Sequence, residues 1–115
     1  MLFRSVLKRF GPGNPAPLSF PIPGWTLAAD VPAGVPGLLE LLDKLDEELV
    51  RAGGRIYLAK DSRQSGRVVQ ACYPQFENWC RAYCQTNSEY LFASCMLNRI
   101  CYSDQASWED NHLGY

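Results

Sequence analysis

The sequence has one histidine, His112, and no Cys-x-x-Cys pair. Zinc sites are usually built from closely spaced cysteine and histidine ligands, so the usual zinc signatures are absent. An excess of charge of either sign is also lacking. Eleven Lys and Arg stand against twelve Asp and Glu, for a net charge of -1. That balance offers no basic footprint for nucleic acid or an anionic membrane. No apolar run approaches the roughly 20 residues of a spanning helix, which excludes an integral membrane segment in the sequence. The basic start, Met1 to Phe10, has no long apolar core and no small-residue cleavage site, so no signal peptide is read. With neither signal nor span, the expected location is cytoplasmic or membrane-associated. Finally, no Gly-x-Gly-x-x-Gly run occurs. Gly11-Pro12-Gly13 is a poor substitute, because Pro12 removes a backbone donor that a phosphate cradle needs.

What remains is a chain of 115 residues, 47% hydrophobic and 20% charged, of ordinary globular composition. Its size suits one domain. Seven of its eight prolines fall between Pro12 and Pro36, and its five cysteines fall between Cys72 and Cys101. A first third so rich in proline suits a segment that weaves over a larger body.

Alternation predicts a strand over Leu2–Phe10, with Phe3, Ser5, Leu7 and Arg9 on one face and Val6, Lys8 and Phe10 on the other. Gly11 to Gly24 reads as loop, because prolines remove donors and bias their neighbours toward extended backbone. Trp25 to Val31 reads as a second strand in which Thr26 and Ala28 share the small or polar face. From Pro36 to Ala52, Leu38, Leu41, Leu42, Leu45 and Leu49 recur at helical spacing, which predicts an amphipathic helix with a core face. Gly53-Gly54 supplies the stop. Arg55 to Ala59 is expected to be a strand, completing a strand-helix-strand unit, and Asp61 to Arg67 a polar loop. Val68–Cys72 is expected to form a helical turn, with further helices from Pro74 to Gln85 and from Tyr90 to Ile100. Residues 101–115 are expected to fray. The fold class is α+β: an antiparallel or mixed sheet, one long amphipathic helix and short C-terminal helices.

Tyr57 and Lys60 stand out for their chemistry. Strand alternation puts residues three apart on opposite faces, so both can face one site only if the strand ends or bulges before Lys60. An ammonium there, about 4 Å from an anionic group at an effective dielectric near 20, contributes roughly 4 kcal/mol before desolvation. The alternative is an ordinary surface lysine beside Asp61.

Two stretches carry a family resemblance. Val6–Asn14 continuing through Pro17–Trp25, and Gly53–Arg63 with its Tyr57-Leu58-Ala59-Lys60-Asp61-Ser62 run, resemble the carboxy-terminal part of the decaprenylphosphoryl-ribose 2-oxidase family. These are FAD-dependent oxidases of the vanillyl-alcohol oxidase and sugar-lactone oxidase group. Tyr73-Pro74 with Trp79, and Phe92-Ala93-Ser94 with Arg99, extend the similarity.

The resemblance implies that residues 1–100 are a substrate-domain segment of a flavin oxidase whose flavin-binding domain is absent. Lys60 would be the catalytic lysine, touching both FAD and the substrate pocket, and Tyr57 would contact FAD. Lys8 and Phe10, with Thr26 and Ala28, would line the substrate side. The implied substrate is a sugar or polyol, lipid-linked in the cell-wall arabinan branch. A separate flavin-binding chain or a reductase is the implied partner. This sequence has Ala28 where the family carries a cysteine, Cys95 where it has an acidic residue, and Thr86-Asn87-Ser88 in place of an Asp-Pro turn.

Two other functions stand beside this one. The first is a non-catalytic fragment that docks on a flavin-binding chain through its proline-rich loop and leucine face. The second is a small cysteine-rich metal module built from Cys72, Cys80, Cys84, Cys95 and Cys101. Cys80 and Cys84 would share a helix face in that case, although free thiols are the ordinary state for such spacing. His112 with Asp104, Glu109 and Asp110 forms neither a catalytic dyad nor a calcium loop and reads as solvated tail.

Overall fold

The computed structural model describes residues 4–60 and 63–102. Its elements are β1 (Ser5–Phe10), β2 (Gly24–Ala29), α1 (Leu38–Arg51), a 3₁₀ turn (Leu58–Lys60), α2 (Gly66–Cys72), α3 (Phe76–Thr86) and α4 (Cys95–Tyr102). The architecture is α+β, with an antiparallel two-stranded sheet. Phe3, His112 and positions 103–115 of the expected frayed tail lie outside the described residues, whereas Cys101 and Tyr102, also expected to fray, belong to α4.

β1 and β2 pair so that Ser5 faces Ala29, Val6 Ala28, Leu7 Leu27, Lys8 Thr26, Arg9 Trp25 and Phe10 Gly24. Directly opposed residues point to the same side of a sheet. One face of the hairpin therefore carries Val6, Lys8, Phe10, Thr26 and Ala28, as alternation predicts. The other carries Leu7, Leu27 and Trp25, which stay 62%, 68% and 68% exposed.

The core lies in the second half of the chain. Val69 and Cys72 of α2, Tyr73, Phe76 and Cys80 of α3, and Ile100 of α4 are buried together. Leu18 of the proline-rich loop, Val50 of α1, and Ile56 and Leu58 pack against them. Helix α2 is the hub, since α1, α3 and α4 all pack on it. Ser65 caps α2, its Oγ accepting from the Val68 N–H at 3.3 Å. Gly66 at the α2 start needs its missing Cβ, because a β-carbon would sit 2.5 Å from the Ile100 carbonyl oxygen. The close approach of α4 to α2 depends on that glycine.

Helix α1 ends as Gly53-Gly54 predicts. Gly53 takes φ +71°, and the Gly53 and Gly54 N–H groups bond the Val50 and Leu49 carbonyls, satisfying orphan acceptors of the last turn. Its leucine face is not the core face that periodicity predicts. Leu38, Leu42 and Leu49 are half-buried, but Leu41 and Leu45 are exposed. Only the C-terminal end of α1 reaches the core, and Asp46 is its buried residue. Arg63 compensates that carboxylate, with Nη1 2.8 Å from Asp46 Oδ2 and 2.8 Å from Asp43 Oδ1.

Two further expectations are corrected. Arg55–Ala59 is not a strand, so no strand-helix-strand unit forms. Among the described residues no third strand offers it a ladder, and side chains take over its polar groups. The Tyr73 hydroxyl donates to the Ile56 carbonyl at 2.6 Å, while Arg55 Nη1 donates to the Ser19 carbonyl at 2.5 Å. The last helix begins at Cys95 and not at Tyr90. Asn87 clamps the intervening residues, its Nδ2 donating to the Phe92 carbonyl at 2.8 Å and its Oδ1 accepting from the Phe92 N–H at 3.1 Å. Ser94 then caps α4 through the Leu97 N–H at 3.1 Å.

The hairpin stands off this body, and neither strand packs extensively on a helix. The chain accordingly measures 56 × 35 × 27 Å with a radius of gyration of 16.2 Å. A compact domain of this length would have about 13 Å.

Candidate functional site

Of the residues singled out from sequence, Lys8, Thr26, Phe10 and Ala28 share the hairpin face opposite the Leu7–Trp25–Leu27 side. Lys8 is directly across from Thr26, and Ala28 across from Val6. Thr26 and Phe10 are half-buried; Lys8 and Ala28 are exposed. Gly24 lies opposite Phe10, so no side chain there competes with the phenyl ring for that face.

Tyr57 and Lys60 resolve the alternation conflict in a way the sequence does not announce. The backbone leaves the extended state and enters the 3₁₀ turn Leu58–Lys60. Strand alternation therefore no longer sets Tyr57, just before the turn, and Lys60, its last residue, on opposite faces. Tyr57 is 51% exposed and Lys60 is exposed. With the described residues Lys60 makes no hydrogen bond or ion pair.

The hairpin face and this turn are joined by a residue that the sequence reading left without a role. Phe20, in the proline-rich loop, packs edge-on against Phe10 with ring centroids 5.7 Å apart. Its ring also lies 5.1 Å from that of Tyr57. Phe10, Phe20 and Tyr57 thus form one aromatic ladder running from the hairpin to the turn before Lys60. Pairs at this separation contribute about 0.5–1.5 kcal/mol beyond their burial. The available signal was an aromatic set between prolines at Ser19-Phe20-Pro21, where the chain has little freedom to move it. Beside it, the Ser19 hydroxyl is buried with no hydrogen-bond partner among the described residues.

The donor set fits part of a flavin. A phenol and an ammonium at the two ends of one short turn, next to a ladder of rings, are the groups that suit a planar ring and its electron-rich edge. The rest of the dinucleotide finds no cradle among the described helices. Helices α1 and α3 have no side-chain cap and carry Glu40 and Glu77 in their first turns, where acidic groups repel a phosphate. At α2 and α4, Ser65 and Ser94 already satisfy an N-terminal N–H. Nor does any group of three or more His, Cys, Asp or Glu among the described residues come together to hold a metal ion. No described helix is long and apolar enough to cross a membrane.

No family model matches the sequence. Individual proteins do. Over 98 residues, 85% of this chain, it is 45% identical to the decaprenylphosphoryl-β-D-ribose oxidase of Mycolicibacterium smegmatis. The chain is a relative of part of that oxidase. Over 95 residues, 83% of its length, it is also 42% identical to an uncharacterized protein from the mprA 5′ region of Streptomyces coelicolor. It covers 21% of the first relative and 26% of the second, so it spans about a quarter or less of the curated proteins it matches. The resemblance carried by the Val6–Asn14, Pro17–Trp25 and Gly53–Arg63 motifs is therefore a similarity that runs through most of this chain.

Proposed function

We propose that this chain is the carboxy-terminal, substrate-side portion of an FAD-dependent oxidoreductase that oxidises a sugar or polyol hydroxyl, of the decaprenylphosphoryl-ribose oxidase kind, and that it is inactive alone. The observation that carries this reading is the Phe10–Phe20–Tyr57 ladder. It connects the face bearing Lys8, Phe10, Thr26 and Ala28 to the turn bearing Tyr57 and Lys60. The 45% identity to an oxidase acting on a phosphorylated ribose supports it from outside the structure.

When bound, FAD supplies the acceptor for a hydride from the carbinol carbon. Tyr57 and Lys60 are the residues that would hold its ring system. The Lys60 side chain would favour whichever state of the pocket carries more negative charge. A group that stabilises the product side more than the starting side accelerates the reaction. Lys8 and Thr26, opposed on the hairpin, would meet the sugar, and Phe10 would keep water from the reacting carbon. Ala28 leaves space where the family has a thiol. The substrate, a lipid-linked sugar by analogy, and a separate flavin-binding chain as partner belong to the same reading.

The test combines this chain with the FAD-loaded remainder of the Mycolicibacterium oxidase, lacking the matching segment, and follows bleaching of the yellow flavin on adding decaprenylphosphoryl ribose. Reduction should require this chain. Lys60→Met should leave the two proteins associated and slow reduction about 100-fold or more, the usual cost of one well-aimed charged group. Equal rates with and without that substitution would defeat the catalytic assignment. Association without any reduction would favour a non-catalytic docking fragment, for which the exposed Leu7, Trp25 and Leu27 are the specific evidence.

A further inference from the structure

Helices α3 and α4 bring two cysteines together that are 21 residues apart in sequence. The Sγ atoms of Cys80 and Cys101 lie 3.5 Å from each other, within thiol hydrogen-bond distance. Cys80 is buried and Cys101 half-buried, and both are reduced. No third ligand joins them in a metal-binding group among the described residues. The remaining thiols are placed differently: Cys72 is buried, Cys84 half-buried and Cys95 exposed.

We propose that Cys80 and Cys101 are a peroxide-oxidisable pair whose disulfide bolts α4 onto α3. The chemistry takes two steps. The more accessible Cys101 sulfur attacks a peroxide oxygen, breaking the O–O bond; the sulfur is oxidised to a sulfenic acid, and the peroxide leaves as water. The Cys80 sulfur then attacks the sulfenic sulfur, the S–S bond forms, and the S–OH oxygen leaves as a second water. In sum, two thiols and one hydrogen peroxide give one disulfide and two waters. Forming the bond requires the sulfurs to close from 3.5 Å to about 2.05 Å.

The electrostatics agree with the division of roles. The hydrogen bond to Cys101, together with burial, pushes the Cys80 thiol up, so Cys80 keeps its proton. The same shared hydrogen bond brings Cys101 down, which favours the nucleophilic thiolate there. The consequence reaches beyond α4. Arg99 of α4 donates from Nε to the Gln64 carbonyl at 2.9 Å, and Ile100 closes on Gly66. A bolt on α4 therefore also steadies residues 64–66, which follow the Arg63 clamp on Asp46. None of this depends on the oxidase assignment.

The experiment treats the whole chain with a small molar excess of hydrogen peroxide, blocks remaining thiols, and maps tryptic peptides without reduction. Cleavage after Arg67, Arg81 and Arg99 puts Cys80 in residues 68–81 and leaves Cys101 as the one cysteine of residues 100–115. The expected result is a cross-link between these two peptides, two hydrogens lighter than their sum, with fragmentation assigning the bond to Cys80 rather than Cys72. Free thiols should fall from the five in the sequence by two, and α4 amide exchange should slow on the order of tenfold. Cys101→Ser, at the less buried position, should remove both the cross-link and the slowing while keeping the helical signal. Linkage of Cys101 to Cys72, Cys84 or Cys95, oxidation confined to Cys95, or unchanged α4 exchange in the cross-linked chain would each overturn the proposal. The map of the unaltered chain decides even if a variant fails to fold.

Discussion

The helical body and the β-hairpin differ in where each finds its packing. The body buries Val69, Tyr73, Phe76 and Ile100 among residues of its own segment and satisfies the Ile56 carbonyl with the Tyr73 hydroxyl. Among the described residues the hairpin pairs only with itself. It leaves Leu7, Trp25 and Leu27 more than half exposed on one side and Lys8 and Ala28 exposed on the other. An isolated two-stranded hairpin is marginal in water. The difference teaches that the chain's stability and its candidate chemistry reside in separate regions. The body anchors the Tyr57–Lys60 turn through Ile56 and Leu58. The hairpin leaves most of its side chains exposed, and Phe20 couples the two.

Phe76→Ala should have the largest effect, because it opens a cavity under the buried ring. The expected loss is about 3–5 kcal/mol, enough to cost the chain most of its cooperative thermal transition by circular dichroism. A small loss would mean that the core is not where stability resides.

Alkaline pH sharpens the comparison at the next scale. Burial pushes the Tyr73 phenol up to about 12, while an unfolded tyrosine titrates near 10. Between those values the unfolded chain sheds a proton that the folded chain keeps. The stabilisation is thus complete below pH 10 and is lost as pH rises through about 12, a loss of roughly 2–3 kcal/mol. Urea midpoints at pH 9 and 12 should show this extra slope in the unaltered chain and lack it in Tyr73→Phe.

The smallest effect is expected from the hairpin. Leu7→Ser combined with Leu27→Ser should move stability by no more than about 0.5 kcal/mol, since neither side chain is buried. Yet it should weaken association with the flavin-binding remainder in the reconstitution assay. A clear drop in the melting temperature would mean that this face packs within the chain, and the contrast between the regions would fail.

Much of this was legible in particular residues. The leucine spacing predicted α1, and Gly53-Gly54 located its end, because helix periodicity and left-handed glycine are local properties. Alternation put Lys8 with Phe10 and Thr26 with Ala28, and the pairing then set all four on one side. Arg55–Ala59 was misread because its residues suit a strand while no partner strand is present among those described. The exposure of Leu41 and Leu45 was invisible because an amphipathic pattern states what a helix is able to bury, not what is there to cover it. The role of Phe20 is not legible in sequence because its partners, Phe10 and Tyr57, are distant in the chain. Cys80 and Cys101 escaped for the same reason.

The amino-acid order alone determined the kinds of elements, their punctuation by proline and glycine, the α+β class and the similarity to part of a decaprenylphosphoryl-β-D-ribose oxidase. Each depends on neighbours along the chain or on motifs read in line. Only the tertiary structure decided that Phe20 bridges hairpin and turn, and that two thiols meet across α3 and α4. Such juxtapositions come from packing between elements far apart in sequence, and no local pattern encodes the distance between them.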